Sequence, residues 1–291
     1  MEFTIVIVAW NVRDLLQKCL KSIAKYGKGL RVVVVDNSST DGTVEMIKKS
    51  FPQTNLIASQ TNLGFAGGNN KILKQAKEGH FVLLNPDTEI LPDTIEQLKS
   101  FIKKNPEYGL VGGKHINPDK SYQPSVRRFP TGKILLMLMY KIHRLIPFLP
   151  SLKKYFAKDL KINNVQKVEQ LAGSYLVVNS KTIKKIGALD ENFKIWFEDV
   201  DYCKRSHDAG LNNYYVPKTK IIHHGGQSFG QILNVKRQKK LNESIFYYAQ
   251  KHLRFTDEKR LRSASLESIL LARVAQILSW PFILKRQIFK N

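Results

Sequence analysis

Three carboxylates, Glu198, Asp199 and Asp201, fall within four residues of KIWFEDVDYCKR. Acids this close repel one another and raise one another's pKa, as a general base working near neutrality requires. Capping is the plain alternative, because negative charge at a helix start is mildly stabilising. A further acid, Asp87 in VLLNPDTEI, stands where an apolar run stops. Asn-Pro-Asp-Thr is good turn chemistry, and an Asp before a new helix often caps it. VVVDNSSTDGT sets Asp36 and Asn37 ahead of small hydroxyl residues. Short side chains let a planar base or a ribose approach the backbone there, and the side-chain oxygens can accept from ring N–H groups or sugar hydroxyls. Strand-turn-helix capping would use the same residue types.

NLGFAGGNN supplies Gly64, Gly67 and Gly68 for positive φ or close backbone approach. Asn69 and Asn70 follow at an expected helix start, where free N–H groups favour anions. No GK[ST] follows and the G-x-G-x-x-G spacing is missing, so the stretch implies a nucleotide other than NAD or P-loop-bound ATP. In IIHHGG, His223 and His224 are adjacent in an expected strand, so they point to opposite faces and only one can serve a site.

The elements that must carry these residues alternate. Apolar β-branched runs at 3–9, 31–36, 55–59, 80–85 and 109–113 are separated by LLQKCLKSIAKY and TIEQLKSFIKK, whose apolar spacing of three and four is helical. Alternation of this kind predicts a Rossmann-like, mostly parallel central sheet with helices on both faces. Ligands of such sheets bind at the carboxyl ends of the strands, and four successive strands deliver polar or glycine-rich loops to that rim. Further on, residues 168–180 and 212–224 read as strands flanking a helix over IWFEDVDYCKRSHDAG that Gly210 terminates. Residues 114 to about 165 mix prolines, basic residues and apolar clusters and read as an irregular lobe.

With 291 residues, 43% of them hydrophobic, the chain can bury a substantial core, which excludes disorder. Cys19 and Cys203 are too far apart in sequence for a CxxC motif, so packed thiols in a reducing compartment are expected. The opening MEFTIVIVAWN reads as a strand and not as a signal peptide. The longest apolar run, at 134–140, is far short of the roughly 20 residues that a spanning helix needs. The net charge of +23 calls for a polyanion nearby: nucleic acid, anionic lipid or a phosphorylated substrate. RNP, zinc and KH signatures are all missing and the aromatics do not interleave with the basic clusters, which argues against nucleic acid.

The ordered motifs TIVIVAWN, VVDNSSTDGT, NLGFAGGNN, LLNPDTEI, LAGSYLVVNS, FEDVDYCKR and IIHHGGQS resemble those of the inverting family 2 glycosyltransferases of GT-A fold, particularly their rhamnosyltransferase-like branch. The likeness runs over about residues 3 to 230. It implies transfer of a sugar, rhamnose among the options, from a nucleoside diphosphate donor to a hydroxyl of a glycan or lipid-linked acceptor. Asp87 matches the last aspartate of the family's DXD motif, which binds Mg²⁺ or Mn²⁺ against the donor diphosphate. Asn85-Pro86 replaces the earlier acid, so a single carboxylate would hold the metal weakly without nucleotide.

By the same likeness Ala9, Trp10, Asn11, Asp36, Asn37, Asn62, Gly64, Asn69 and Asn85 belong to the donor site. Asn37 stands where many relatives have Asp, which leaves uridine against thymidine open. Asp199 matches the base, with Glu198 beside it; Trp196, Gly173 and Asp201 fall to the acceptor. The H-x-x-G-x-S pattern selects His223 for the metal or phosphate. A catalytically inactive sugar-nucleotide-binding scaffold subunit is the alternative reading.

On these grounds residues 1–113 form the nucleotide-sugar half, 114–235 the acceptor and base half of the same GT-A domain, and 236–291 a basic helical tail. Apolar positions at helical spacing among lysines and arginines, with Trp280, suit that tail to an anionic membrane surface, and KILLMLMYKIHRLIPFLP offers a second insertable surface. Packing on the protein or in a dimer is the alternative for the tail. The expected location is cytoplasmic, peripheral at the inner face of the cell membrane.

Overall fold

A computed structural model describes residues 1–225, 234–254, 259–271 and 273. Gly226 and Ser228 of the histidine-glycine-serine pattern, and Trp280 with the basic stretch around it, lie outside the described residues. The first third of the chain builds β1 (Phe3–Ala9), β2 (Arg31–Asp36), β3 (Asn55–Ala58), β4 (His80–Leu84), β5 (Thr88–Ile90) and β6 (Tyr108–Ile116). Then come β7 (Tyr122–Gln123), β8 (Val126–Arg127), β9 (Gln166–Lys167), β10 (Gln170–Leu171), β11 (Tyr175–Asn179) and β12 (Asn212–His223).

The central sheet runs β3-β2-β1-β4-β11-β6-β12-β5. Pairing is parallel from β3 to β4 and between β6 and β12, whereas β11 is antiparallel to both β4 and β6 and β5 is antiparallel to β12. Along that path only β11 and β5 therefore oppose the common direction. Both faces are buried, so the strands are apolar at nearly every position. Ile5, Ile7, Val34 and Val82 pack with Leu16, Leu20, Leu98 and Ile102 of the Arg13–Tyr26 and Thr94–Lys104 helices, and the alternate residues Val6, Leu83 and Leu176 face Ala66, Leu73 and Tyr202. Cys19 and Cys203 are free, buried thiols.

Three elements differ from expectation. The helix over the acidic cluster is Glu198–Asp208, because Trp196 and Phe197 take φ of +55° and +69° and cannot join it. Gly210, at φ +76°, follows its end as anticipated. The strand read over 168–180 is broken by a turn at Ala172–Ser174. Most consequentially, the Gly64–Leu73 helix begins at Gly64, so Asn69 and Asn70 lie inside it and present no free N–H groups.

The chain forms two compact units. One comprises residues 1–129, 154–191 and 198–228 and holds the central sheet; the other comprises 130–153, 192–197 and 229–291. In the second unit, where a lobe of irregular structure was expected, Gly132–Met139 and Ile142–Leu145 are helical. The Asn234–His252 helix buries Ile245, Tyr248 and Ala249. It grips the 192–197 segment: Ser244 Oγ accepts from the N–H groups of Lys194 and Ile195, while Phe193 packs edge-on against Tyr247 and Phe197 lies tilted against Tyr248. Asn242 ties this helix to the helical residues 259–271 through Ser265 and Ser268.

Candidate active site

At the carboxyl ends of β1 and β2 the backbone makes a polar cup. Asn37 N–H donates to the Ala9 carbonyl at 2.8 Å, and Asn37 Nδ2 donates to the Gly64 carbonyl at 3.1 Å. Asp36 Oδ2 accepts from Ser39 N–H at 3.0 Å. The remaining oxygens, Asp36 Oδ1 and Asn37 Oδ1, are buried acceptors without a protein partner. Buried polar atoms are nearly always satisfied, so two such acceptors side by side call for a donor from outside the chain. A nucleobase N–H or a ribose hydroxyl has that chemistry.

Asn11, at φ +49°, knits the loops together: its Oδ1 accepts from Thr40 N–H at 2.8 Å and its N–H donates to Ser39 Oγ at 3.0 Å. Asn62 Oδ1 accepts from Gly64 N–H at 2.9 Å, and Gly64 takes φ +70°. Trp10 is half-buried at the strand end. Ala9 is fully buried, and Asn69 is as buried as Asp36 and Asn37. Asn69 Nδ2 donates to Phe65 O, its Oδ1 is unpartnered, and Asn70 is tied to Leu189 and Glu191. Gly68 is small for packing, not for phosphate: a Cβ there would stand 2.6 Å from Val8 Cγ1.

A second cluster gathers at the ends of β4 and β12. Antiparallel pairing of β12 with β5 sets His223 opposite Thr88. His223 Nε2 lies 3.5 Å from Asp87 Oδ1, whereas His224 turns to Glu89 at 2.7 Å. Gln123 Oε1 sits 2.7 Å from His223 Nδ1. A carboxamide oxygen only accepts, so Nδ1 carries a proton toward Gln123, and Nε2 is the nitrogen aimed at Asp87. This is the orientation that a metal-binding imidazole needs, with Gln123 as the outer partner that fixes its tautomer. His115, buried beside His223, is pushed down to about 3 by burial and then by that neighbour. Asn85 N–H donates to Ser174 O, and Thr88 Oγ1 donates to Asn85 O.

Gly173 and Ser174 connect this cluster to the acidic helix. Gly173 N–H donates to Asp199 Oδ2 at 2.8 Å. A Cβ at 173 would come within 3.2 Å of Asp199 Cβ, so the bare backbone is what brings donor and carboxylate together. Gly173 thus positions the carboxylate, whatever else it touches. Burial raises Asp199, opposed by the Gly173 N–H and by Arg127. Burial, and then the charge on Asp199, push Glu198 up to about 8; its Oε2 is buried without a partner. Burial raises both members of this coupled pair, so they titrate together and Glu198 keeps its proton up to about pH 8.

Asp201 is corrected. It is wholly buried and ion-paired at 2.8 Å with Arg205, which also donates to the carbonyls of Ile186 and Ala188. Its task is to fasten the helix, and an acceptor cannot reach it. Trp196 is 37% exposed in the gripped 192–197 segment. Two residues that sequence reasoning missed are Gln123 and Arg127, both in the stretch with no periodic signal.

Glu198 gives a stability prediction with a definite sign. Its folded pKa lies above its unfolded value, so between about pH 4.5 and pH 8 the folded chain binds the extra proton and stability falls as pH rises. Glu198→Gln removes that penalty. The variant is expected to melt higher than the parent at pH 8.5 and to differ little at pH 4.5; the reverse order in a pH series of melting curves would show that Glu198 is ionised in the fold.

A mixed sheet with polar loops at one rim, and a carboxylate, an imidazole and an acidic pair beside them, is the GT-A architecture. The chain belongs to the glycosyl transferase family 2, whose model matches residues 4–161. It is 27% identical over 243 residues to the N-acetylglucosaminyl-diphospho-decaprenol L-rhamnosyltransferase of Mycobacterium tuberculosis, covering 78% of this chain and 77% of that one. Among solved structures it resembles the mannosyltransferase PcManGT from Pyrobaculum calidifontis in complex with GDP-Man and Mn²⁺, with TM-score 0.55, 15% identity and coverage of 96% and 75%. It also resembles S. aureus TarS, with TM-score 0.56 and 15% identity; the match covers 92% of this chain and 43% of that longer one. These two likenesses concern the fold.

Proposed function

We propose that this glycosyltransferase moves a sugar with inversion from a nucleoside diphosphate donor to a hydroxyl of a glycan or lipid-linked saccharide. The observation that carries the reading is the two-residue link at Gly173-Ser174. It holds Asp199 next to the strand end that bears Asn85 and Asp87. Asp36, Asn37 and Trp10 take the nucleoside. Asp199 accepts the proton of the acceptor hydroxyl as its oxygen bonds to the anomeric carbon. The bond from that carbon to the diphosphate oxygen breaks on the opposite side, which gives inversion in one displacement. Mg²⁺ or Mn²⁺, bound by Asp87 and His223 together with donor phosphate oxygens, would offset charge on the departing diphosphate. Two protein ligands suit an ion that arrives with its nucleotide. The name of the mycobacterial relative makes L-rhamnose the first sugar to try.

Melting curves with a panel of nucleoside diphosphate sugars, with and without Mn²⁺, test the reading, since a ligand that binds only the folded chain raises its melting temperature. One donor should stabilise the protein strongly and only with metal. No stabilisation by any member of the panel would sink the proposal.

The second unit supports a peripheral place on an anionic membrane at the cytoplasmic side. No described helix is long and apolar enough to cross a membrane. Leu145 and Phe148 are exposed, as are Leu266, Leu270 and Leu271 among the exposed basic residues Lys259, Arg260 and Arg273. Apolar side chains set among cations bind where lipid is both fluid and negatively charged. Co-flotation with vesicles containing phosphatidylglycerol should fall steeply in high salt and on changing Leu266 and Leu270 to Ser. Equal flotation with neutral vesicles would refute the assignment.

A further inference from the structure

Arg127 and Arg128 are neighbours with opposite fates. Arg128 is neutralised by Asp159 and Glu169. Arg127 is half-buried and, among the described residues, makes no ion pair; its guanidinium lies 5.9 Å from the centre of the Phe156 ring. An unpaired cation in that setting is costly unless a ligand meets it.

The short β8-β10 pair fixes where it stands. Val126 and Leu171 pair across the strands and both enter the core beneath the sheet, so the next pair, Arg127 and Gln170, takes the other face. Gln170 is 2% exposed, and its Oε1 is buried with no partner. Ser174 touches Asn85 on the donor strand, Gly173 holds Asp199, and Gln170, three residues earlier, faces Arg127. Arg127 is thus paired with a residue three positions before the Gly173 that holds Asp199. Its charge is still felt by Asp199, whose carboxyl it helps to lower.

We propose that Arg127, with Gln170 beside it, binds a phosphate group carried by the acceptor, next to the sugar whose hydroxyl Asp199 deprotonates. The acceptor is then a phosphate-linked saccharide and not a neutral glycan. A guanidinium reads phosphate through paired N–H donors, and the Gln170 carboxamide can orient it. This inference rests on the glycosyltransfer reading above for the role of Asp199, and it concerns the acceptor side alone.

Binding can be measured without turnover. Two probes are titrated in EDTA, so that no metal at Asp87 can capture a diphosphate: N-acetylglucosaminyl diphosphate bearing a short alkyl chain, and the alkyl N-acetylglucosaminide without phosphate. The parent should bind the first more tightly. Arg127→Gln should weaken it by about 10- to 100-fold, the scale of a hydrogen bond to a charged group, and Arg127→Lys by less. The phosphate-free probe should be unaffected, as should nucleoside diphosphate binding in Mn²⁺, and the melting temperature should not fall. Equal or absent binding of the two probes by the parent overturns the proposal. So does an Arg127→Gln variant that loses nucleoside diphosphate to the same extent, since Arg127 would then serve the donor. Failure of the parent to bind any nucleoside diphosphate in Mn²⁺ would instead strike the glycosyltransfer reading, and the two failures are separately visible.

Discussion

Asp199→Asn is expected to fold, to bind nucleoside diphosphate in Mn²⁺ as the parent does, and to lose about 10²- to 10⁴-fold in transfer rate, the usual contribution of a general base. The substitution keeps the size of the side chain, and the Asn oxygen can still accept the Gly173 N–H that now meets Asp199 at 2.8 Å. What disappears is the proton acceptor. Glu198→Gln should cost far less, because Glu198 already carries the shared proton at neutral pH and the amide imitates its neutral form. Single-turnover rates at saturating donor give the comparison. A dead Glu198→Gln beside a near-normal Asp199→Asn would exchange the two roles. If both variants stay active, the acidic cluster only starts a helix.

The second large effect is expected at Asp87. Loss of an outer partner typically reduces metal affinity about 10- to 100-fold, so removing a direct ligand in Asp87→Ala should exceed that range. Nucleoside diphosphate binding in Mn²⁺ should fall with it, whereas the free nucleoside, held by the separate cup at Asp36 and Asn37, should bind as before. Calorimetric titration of both ligands with both proteins makes the test. Equal losses for the two ligands would point to damaged packing, since Asp87 O also accepts from His224 N–H and its β-turn neighbours anchor β5.

Much of this was legible along the chain because it depends on local spacing. Alternating apolar runs and helical periods set the order of β1, β2 and β4, and polar residues at strand ends had nowhere to go but the carboxyl rim. One error had a readable cure: Asp201 and Arg205 stand at i and i+4, the spacing of a helical ion pair, and that pairing removes Asp201 from the acceptor list. By contrast, GFAGGNNKIL carries Gly67 and Gly68 after Gly64, so nothing local announces a helix that starts at Gly64 and runs through them.

What sequence order could not decide was set by contacts between residues far apart in the chain. Strand alternation said that only one of His223 and His224 could face the site; which one depends on the register of β12 against β5, more than a hundred residues away in sequence. The tautomer of His223 depends on Gln123, a residue with no motif around it. The positive φ values of Trp196 and Phe197 come without a glycine to announce them, and the second-unit contacts of Phe193, Lys194 and Phe197 with the Asn234–His252 helix hold that segment. Composition and period determined an α/β fold with polar loops at the strand ends, and the ordered motifs determined the glycosyltransferase family, since secondary structure and the ends of strands follow from local sequence. The raised pKa values of Glu198 and Asp199, the aim of His223 and the charge of Arg127, which makes no ion pair among the described residues, were decided by tertiary structure alone, because burial and partnership are properties of the folded neighbourhood.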